Sequence, residues 1–255
     1  MESLAGAANA FGGFVVSPEA LPTEPELFRR KLAFSIEAWR QEGYKLVWLE
    51  LPISRARLVP IAADLGFSYH HAGEGYLMMT CRLVETAFIP AYATHYIGAG
   101  GVVLNDRREL LVVREKRGGK QGIPSNFKLP GGALHAGEHL VDGVIREVLE
   151  ETGIKTRFQS LVSLRNQHGY RYGKSDIYFV CRLEPLSNEI CKQEDEIEEC
   201  RWMSVDDYLG IDSVSIFNKS IVRAAIENPG LSPRVLDGYG RDPTKIEIFF
   251  PRNPQ

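Results

Sequence analysis

The spacing of apolar residues changes period several times along this chain, and each change marks an element. Leu140, Val144 and Val148 recur every fourth residue, with Val141, Ile145 and Leu149 widening the stripe. That period predicts an amphipathic helix buried on one side and stopped by Gly153. Its other side carries Glu147, Glu150 and Glu151, which at about 100° per residue fall within an arc of roughly 100°. Upstream, the run EPELFRRKLAFSIEAWRQEG predicts a helix over 24–42, and Leu27, Leu32, Phe34, Ile36 and Trp39 form its apolar set. A strand is expected at 44–49. A second helix is expected at 54–65, capped by Ser54, kinked at Pro60 and closed by Gly66. Strands at 67–71 and 76–83 flank a turn. Residues 1–22 are small and Gly/Ala-containing, and read as mobile.

The second half reads differently. A linker at 86–94 leads into strands at 98–104 and 110–113, then a loop at 118–125. Beyond the acidic helix, strands are expected at 158–166 and 177–183, and a short one at 200–203. A helix capped by Ser204 and another over 216–226 follow. Glycines 98, 100 and 101 sit inside a strand pattern, where they mark close backbone approach rather than a dinucleotide fingerprint. Two α/β units result, at 23–90 and 91–230. A Pro- and Gly-rich tail at 231–255 follows, with one apolar run at 246–250.

Composition narrows the function classes. The 255 residues carry a net charge of −3 without a basic block. This argues against a protein that grips DNA through its phosphates. No apolar run approaches the ~18 residues of a membrane span. The four cysteines form no C-x-x-C pair, so reduced thiols in a cytosolic protein are expected rather than zinc or a disulfide framework. The start has an acid at Glu2 and no basic residue before Arg29, which fits neither a signal nor a transit peptide. A cytoplasmic location is expected, with a nuclear or mitochondrial fraction left open.

The chemistry concentrates on the acidic helix. Three carboxylates on one arc repel each other, and a hard divalent cation removes the penalty. Taken alone, such a cluster is usually a solvated face. The wider spacing is more specific: Gly132, five residues, Glu138, seven residues, Arg146-Glu147-Val148, one residue, Glu150-Glu151, one residue, Gly153-Ile154. This resembles the Nudix signature at every fixed position. The resemblance implies a Nudix α/β/α sandwich with a mixed sheet, and hydrolysis of a nucleoside diphosphate linked to another moiety, with Mg²⁺ or Mn²⁺ as cofactor. It also implies roles. Glu150 and Glu151 are the principal metal ligands and Glu147 a further one. Arg146 orients the glutamates with help from Glu138, and Gly132 and Gly153 are structural. Some members take a base from outside the signature. Glu194, Glu196, Glu198 and Glu199 are available, and Glu196, in an E-I-x-x-x-x-W-M arrangement, is the first choice.

The resemblance extends from about residue 28 to 203, towards a subgroup with an N-terminal extension of acetyltransferase-like topology. That subgroup includes plant ADP-ribose and NADH pyrophosphatases and the antisense basic fibroblast growth factor protein. ADP-ribose and NADH therefore lead the expected substrates, and a homodimer is expected. No glycine-rich loop is present to cradle coenzyme A. The pair His70-His71 reads as structural, since a strand turns neighbours to opposite faces. The insert between the strands at 158–166 and 177–183 is aromatic and basic. Arg165, His168, Tyr172 and Lys174 are its substrate-contact candidates, since rings can stack on bases and cations can meet phosphates. Phe127, where many members have tryptophan, joins them. Two other readings stay open: a Nudix hydrolase of nucleoside triphosphates, sugar nucleotides or capped RNA, and a low-turnover nucleotide-binding regulator.

Overall fold

The computed structural model describes residues 1–116, 126–240 and 242–251. The loop expected at 118–125 lies outside the described residues. The chain divides into two compact units, Met1–Ala93 and Thr94–Gln255.

The first unit holds a five-stranded sheet in the order β1-β2-β3-β5-β4. Its strands are β1 (Gly6–Ala8), β2 (Gly13–Val16), β3 (Leu46–Pro52), β4 (Ser68–Ala72) and β5 (Tyr76–Arg82). Only β2 and β3 run parallel. Helices α1 (Pro25–Gln41) and α2 (Val59–Asp64) share one core with Val47, Leu49 and Leu51 of β3. The alternate β3 residues Leu46 and Trp48 pack on the opposite face against Ala87 and Ile89. This is the period-2 alternation of a sheet covered on both sides. Glu24 starts α1 by accepting the N–H groups of Glu26 and Leu27, and Pro25 sits where its missing N–H costs nothing.

Three expectations need correction here. Residues 1–22 are not loose chain: β1 and β2 join the sheet, and Leu4, Val16 and Leu21 enter the core. The Asn9 Oδ1 closes their turn by accepting from the Phe11 and Gly13 N–H groups. Strands this short show no period, so the pattern hid them. The helix expected at 54–65 is instead a 3₁₀ turn, Ile53–Leu58, followed by α2. Pro60 opens α2 rather than kinking a longer helix, because a residue without an N–H belongs in a first turn, and Ser54 makes no cap. Finally, a register shift between Tyr69 and His71 cancels the alternation at the histidine pair. The two rings meet Nδ1 to Nδ1 at 2.7 Å, His70 Nε2 reaches Pro90 O, and His71 stacks on Tyr92.

The second unit is a layered α/β/α structure around a six-stranded mixed sheet ordered β13-β12-β9-β10-β6-β8, with a two-stranded partner, β11-β7. The strands are β6 (His95–Val103), β7 (Glu109–Glu115), β8 (Gly131–Ala133), β9 (Thr156–Gln167), β10 (Ser175–Pro185), β11 (Ile197–Ser204), β12 (Leu231–Pro233) and β13 (Phe249–Pro251). The parallel pair is β10 with β6. Alternation assigns the faces. Ala99 and Val103 of β6, Leu111 of β7 and Leu183 of β10 pack with α3 (Leu140–Thr152). Val102, Leu110 and Val180 pack with α4 (Val205–Gly210) and α5 (Ile216–Glu227). The residues expected as a bare tail supply β12 and β13, and Phe249 rests against Phe158.

Helix α3 lies close to β6 because Gly101 has no side chain: a Cβ there would stand 2.8 Å from both Val148 and Leu183. Val144 and Val148 are fully buried beneath it, each worth about 2 kcal/mol of transfer free energy. Gly153 ends α3 in the left-handed region at φ 74°, with its N–H on Leu149 O. A Cβ at Gly153 would stand 2.7 Å from the Cβ of Cys191. Gly153→Ala is expected to destabilise the second unit by roughly 2 kcal/mol, from left-handed strain plus that overlap. Urea unfolding measures this, and an unchanged midpoint would contradict it.

Candidate active site

Arg146 gathers the acids. Its Nε and Nη2 grip both oxygens of Glu138 at 2.7 and 2.9 Å. Its Nη1 donates to Glu147 at 2.9 Å and to Glu150 at 3.0 Å, and its Nη2 also reaches Ala133 O at 3.2 Å. A planar guanidinium can hold several acceptors in fixed directions, which a lysine cannot. The Arg146 fork and the His135 N–H hold the Glu138 carboxyl down to about 2. The Arg146 guanidinium is raised correspondingly by Glu138, Glu147 and Glu150.

Glu151 departs from the expected picture. It does not share the solvated arc with Glu150; it is 6% exposed and lies on the core side of α3, while Leu149, expected in the apolar stripe, is 41% exposed. One oxygen of Glu151 accepts the Gly131 N–H at 3.0 Å. Burial pushes its carboxyl up to about 7, and the neighbouring Glu147 and Glu115 add to the shift against the pull of Lys128 and the Gly131 N–H. Gly132 leaves room for Glu147: a Cβ there would stand 2.5 Å from its carboxylate.

The strand that receives these acids, β8, also lines a cavity of about 730 Å³. Arg165 and Tyr172 of the aromatic, basic insert line it, together with Tyr178, Phe217, Glu115 and Lys128. Arg165 is held in place by Asp176 at 2.7 Å, and its guanidinium lies against the rings of Tyr178 and Phe217. Gly98 and Gly100 make room for the Tyr178 ring. Burial raises the Tyr178 hydroxyl well above its ordinary value.

Among the described residues, Glu138, Arg146, Glu147, Glu150 and Glu151 stand behind β8 and outside that lining, and so do Phe127, His168, Lys174 and Glu196. Phe127 packs beneath the guanidinium groups of Arg114 and Arg201. His168 is exposed and pairs with Ser175 Oγ at 2.9 Å. Lys174 takes part in the backbone of the insert's turn, its N–H on Arg171 O. Glu196 is exposed, and its carbonyl accepts the Lys116 N–H. Two carboxylates do line the cavity: Asp176, paired with Arg165, and Glu115, paired with Lys128. Glu115 and Lys128 carried no motif. Phe217 gave no signal beyond helical periodicity, whereas Tyr178 could have been found from its alternation with buried Val180.

Among the described residues, no three acids already converge as a metal-binding group. The donor chemistry nonetheless fits a hard cation. Glu151 is a buried carboxylate with one hydrogen bond from neutral backbone, within the electrostatic reach of the Glu147 carboxylate, and oxygen donors of this kind suit Mg²⁺.

Comparison with known proteins agrees along the chain. A model of the Nudix hydrolase domain matches residues 4–83, and a model of the NUDIX domain matches residues 94–225. Nudix hydrolase 8 of Arabidopsis thaliana is 41% identical over 203 residues, covering 79% of this chain and 55% of that protein. Nudix hydrolase 2 of the same plant is 41% identical over 202 residues, covering 79% and 72%. The human protein nucleoside diphosphate-linked moiety X motif 6 is 36% identical over 259 residues, covering 98% and 78%. The chain thus spans little more than half the length of the first of these relatives.

The Glu138 ion pair makes a prediction about acid stability. Its folded carboxyl titrates near 2, below the ordinary 4.5. Its contribution is therefore complete above about pH 5 and disappears as pH falls from 4.5 towards 2. The Tm gap between wild type and Glu138→Gln should be constant above pH 5 and close by about pH 2. A gap that persists unchanged at pH 2 would contradict the pairing.

Proposed function

This chain belongs to the Nudix hydrolase family, and from that premise we propose that it cleaves the diphosphate bond of nucleoside diphosphate-linked compounds using Mg²⁺, with Mn²⁺ as a substitute. ADP-ribose and NADH are the leading substrates, giving AMP plus ribose 5-phosphate or reduced nicotinamide mononucleotide. The observation that carries this reading is the buried Glu151 carboxylate of α3, which accepts the N–H of Gly131 on β8, the strand that walls the cavity. The choice of substrate is supported by the subgroup that the insert and the N-terminal unit resemble.

When bound, the cation neutralises the diphosphate and lowers the pKa of water. Glu147, Glu150 and Glu151 would hold it. Arg146 restricts Glu147 and Glu150 to rotamers that face the same point, and Glu138 keeps Arg146 from swinging away. The Gly131 N–H does the same for Glu151. This pre-positioning removes side-chain freedom before substrate arrives. In the cavity, Arg165 is the cation for the phosphates, and Asp176 limits its motion. The rings of Phe217 and the exposed Tyr172 offer faces for a base. For the proton acceptor there we favour Glu115 over Glu196, because Glu115 lines the cavity and Glu196 does not. A homodimer in the cytoplasm follows from the same resemblance.

With purified protein and Mg²⁺, turnover is expected on ADP-ribose or NADH, and each of Glu150→Gln and Glu151→Gln should lower kcat by about 100-fold or more. Glu151→Gln without metal should be at least as stable as wild type, since a buried charge is removed. It should also lose the rise in Tm that metal gives wild type. Full activity in both variants would overturn the assignment, and no turnover on any diphosphate would overturn the function. Light scattering of the full chain should give twice the monomer mass; a monomer at micromolar concentration would refute the dimer.

A further inference from the structure

We propose that Glu247 is a positioning residue for the acidic helix: its carboxylate, delivered by the C-terminal segment, closes the N-terminal end of α3 and fixes the helix that presents Glu147, Glu150 and Glu151. The inference rests on the hydrolase reading for its catalytic consequence, and on geometry for the rest.

A helix leaves its first N–H groups without intrahelical partners, and the residue before it usually supplies an acceptor. Here that residue is His139, whose side chain makes no cap. Its ring turns instead to Thr244 O at 2.8 Å. The acceptor comes from more than a hundred residues away. Glu247 Oε2 takes the Leu140 N–H at 2.8 Å and Oε1 takes the Val141 N–H at 3.2 Å. The segment that carries it is anchored independently. β13 pairs with β12, the Arg234 N–H bonds Ile248 O, and Phe249 packs on Phe158.

The helix needs outside help for an electrostatic reason. Negative charge is favourable at a helix start and unfavourable at its end. The last turns of α3 hold Glu147, Glu150 and Glu151, with no basic residue in the final turn. A carboxylate at the opposite end works with the dipole. It also acts next to Glu138, one residue before His139, which anchors Arg146. Fraying the first turn would release Glu138 and, through Arg146, the rotamers of Glu147 and Glu150.

The test uses the full chain as wild type, Glu247→Ala and Glu247→Gln. Amide exchange at Leu140 and Val141 should rise about tenfold in Glu247→Ala, with the β-sheet amides unchanged. On a diphosphate substrate kcat should fall about tenfold with KM within about twofold, because the ligands are misplaced and the cavity is not. Glu247→Gln, which keeps an acceptor and loses the charge, should fall between. Added formate should restore protection and kcat to Glu247→Ala, a rescue that a general loss of stability would not show. Unchanged exchange at Leu140 and Val141 would overturn the proposal, as would wild-type kcat in Glu247→Ala. A wild type inert on every diphosphate would sink the hydrolase reading alone; exchange and its rescue by formate would still decide the place of Glu247.

Discussion

One guanidinium sits among too many carboxylates. Arg146 binds Glu138, Glu147 and Glu150 at once, and Glu138 already uses both of its oxygens on that fork. Glu151 receives only a backbone N–H in contact, within the pull of Lys128. The acids thus outnumber the cations that touch them, inside a partly desolvated wall where repulsion is felt most strongly. A chain of marginal stability does not keep such an arrangement for its own sake. The excess of oxygen donors around one strand is the charge imbalance that the proposed Mg²⁺ would offset.

The packing of the second unit serves that arrangement. Gly101 lets α3 close on the sheet, Gly132 leaves room for Glu147, and Gly153 ends the helix against Cys191. At the other end, Glu247 holds the first turn from a segment that reads as a tail. The acidic helix is thereby fixed at its start, along its buried face and at its end. The cavity takes cations from Arg165 of β9, from Lys128 and from Arg171, and aromatic walls from β6, β10, α5 and the insert. No single stretch of sequence contains the site.

That distribution explains what could be read in advance. The signature residues stand at fixed separations on one helix and its preceding loop, so Glu138, Arg146, Glu147 and Glu150 were legible from spacing, and so was Gly153. The burial of Glu151 was not, because periodicity placed it with its charged neighbours, and only the fold shows it buried and bonded to Gly131 of β8. Arg165 and Tyr172 were legible from an unusual composition. The same composition pulled in His168 and Lys174, which are not in the cavity lining. Phe127 was misplaced because bulk near a signature says nothing about which layer a ring joins. Phe217, Glu115 and Lys128 reach the cavity by tertiary contact alone. The strands within residues 1–22 and the bulge at His71 were hidden because each depends on a partner strand.

Anomalous diffraction from crystals grown with Mn²⁺ measures the central claim most directly. A peak is expected within about 2.2 Å of oxygens from Glu151 and Glu147, with Arg146 still bound to Glu138. The charge-sharing explanation would be contradicted by an empty site at millimolar Mn²⁺, with Glu151 still bonded only to the Gly131 N–H.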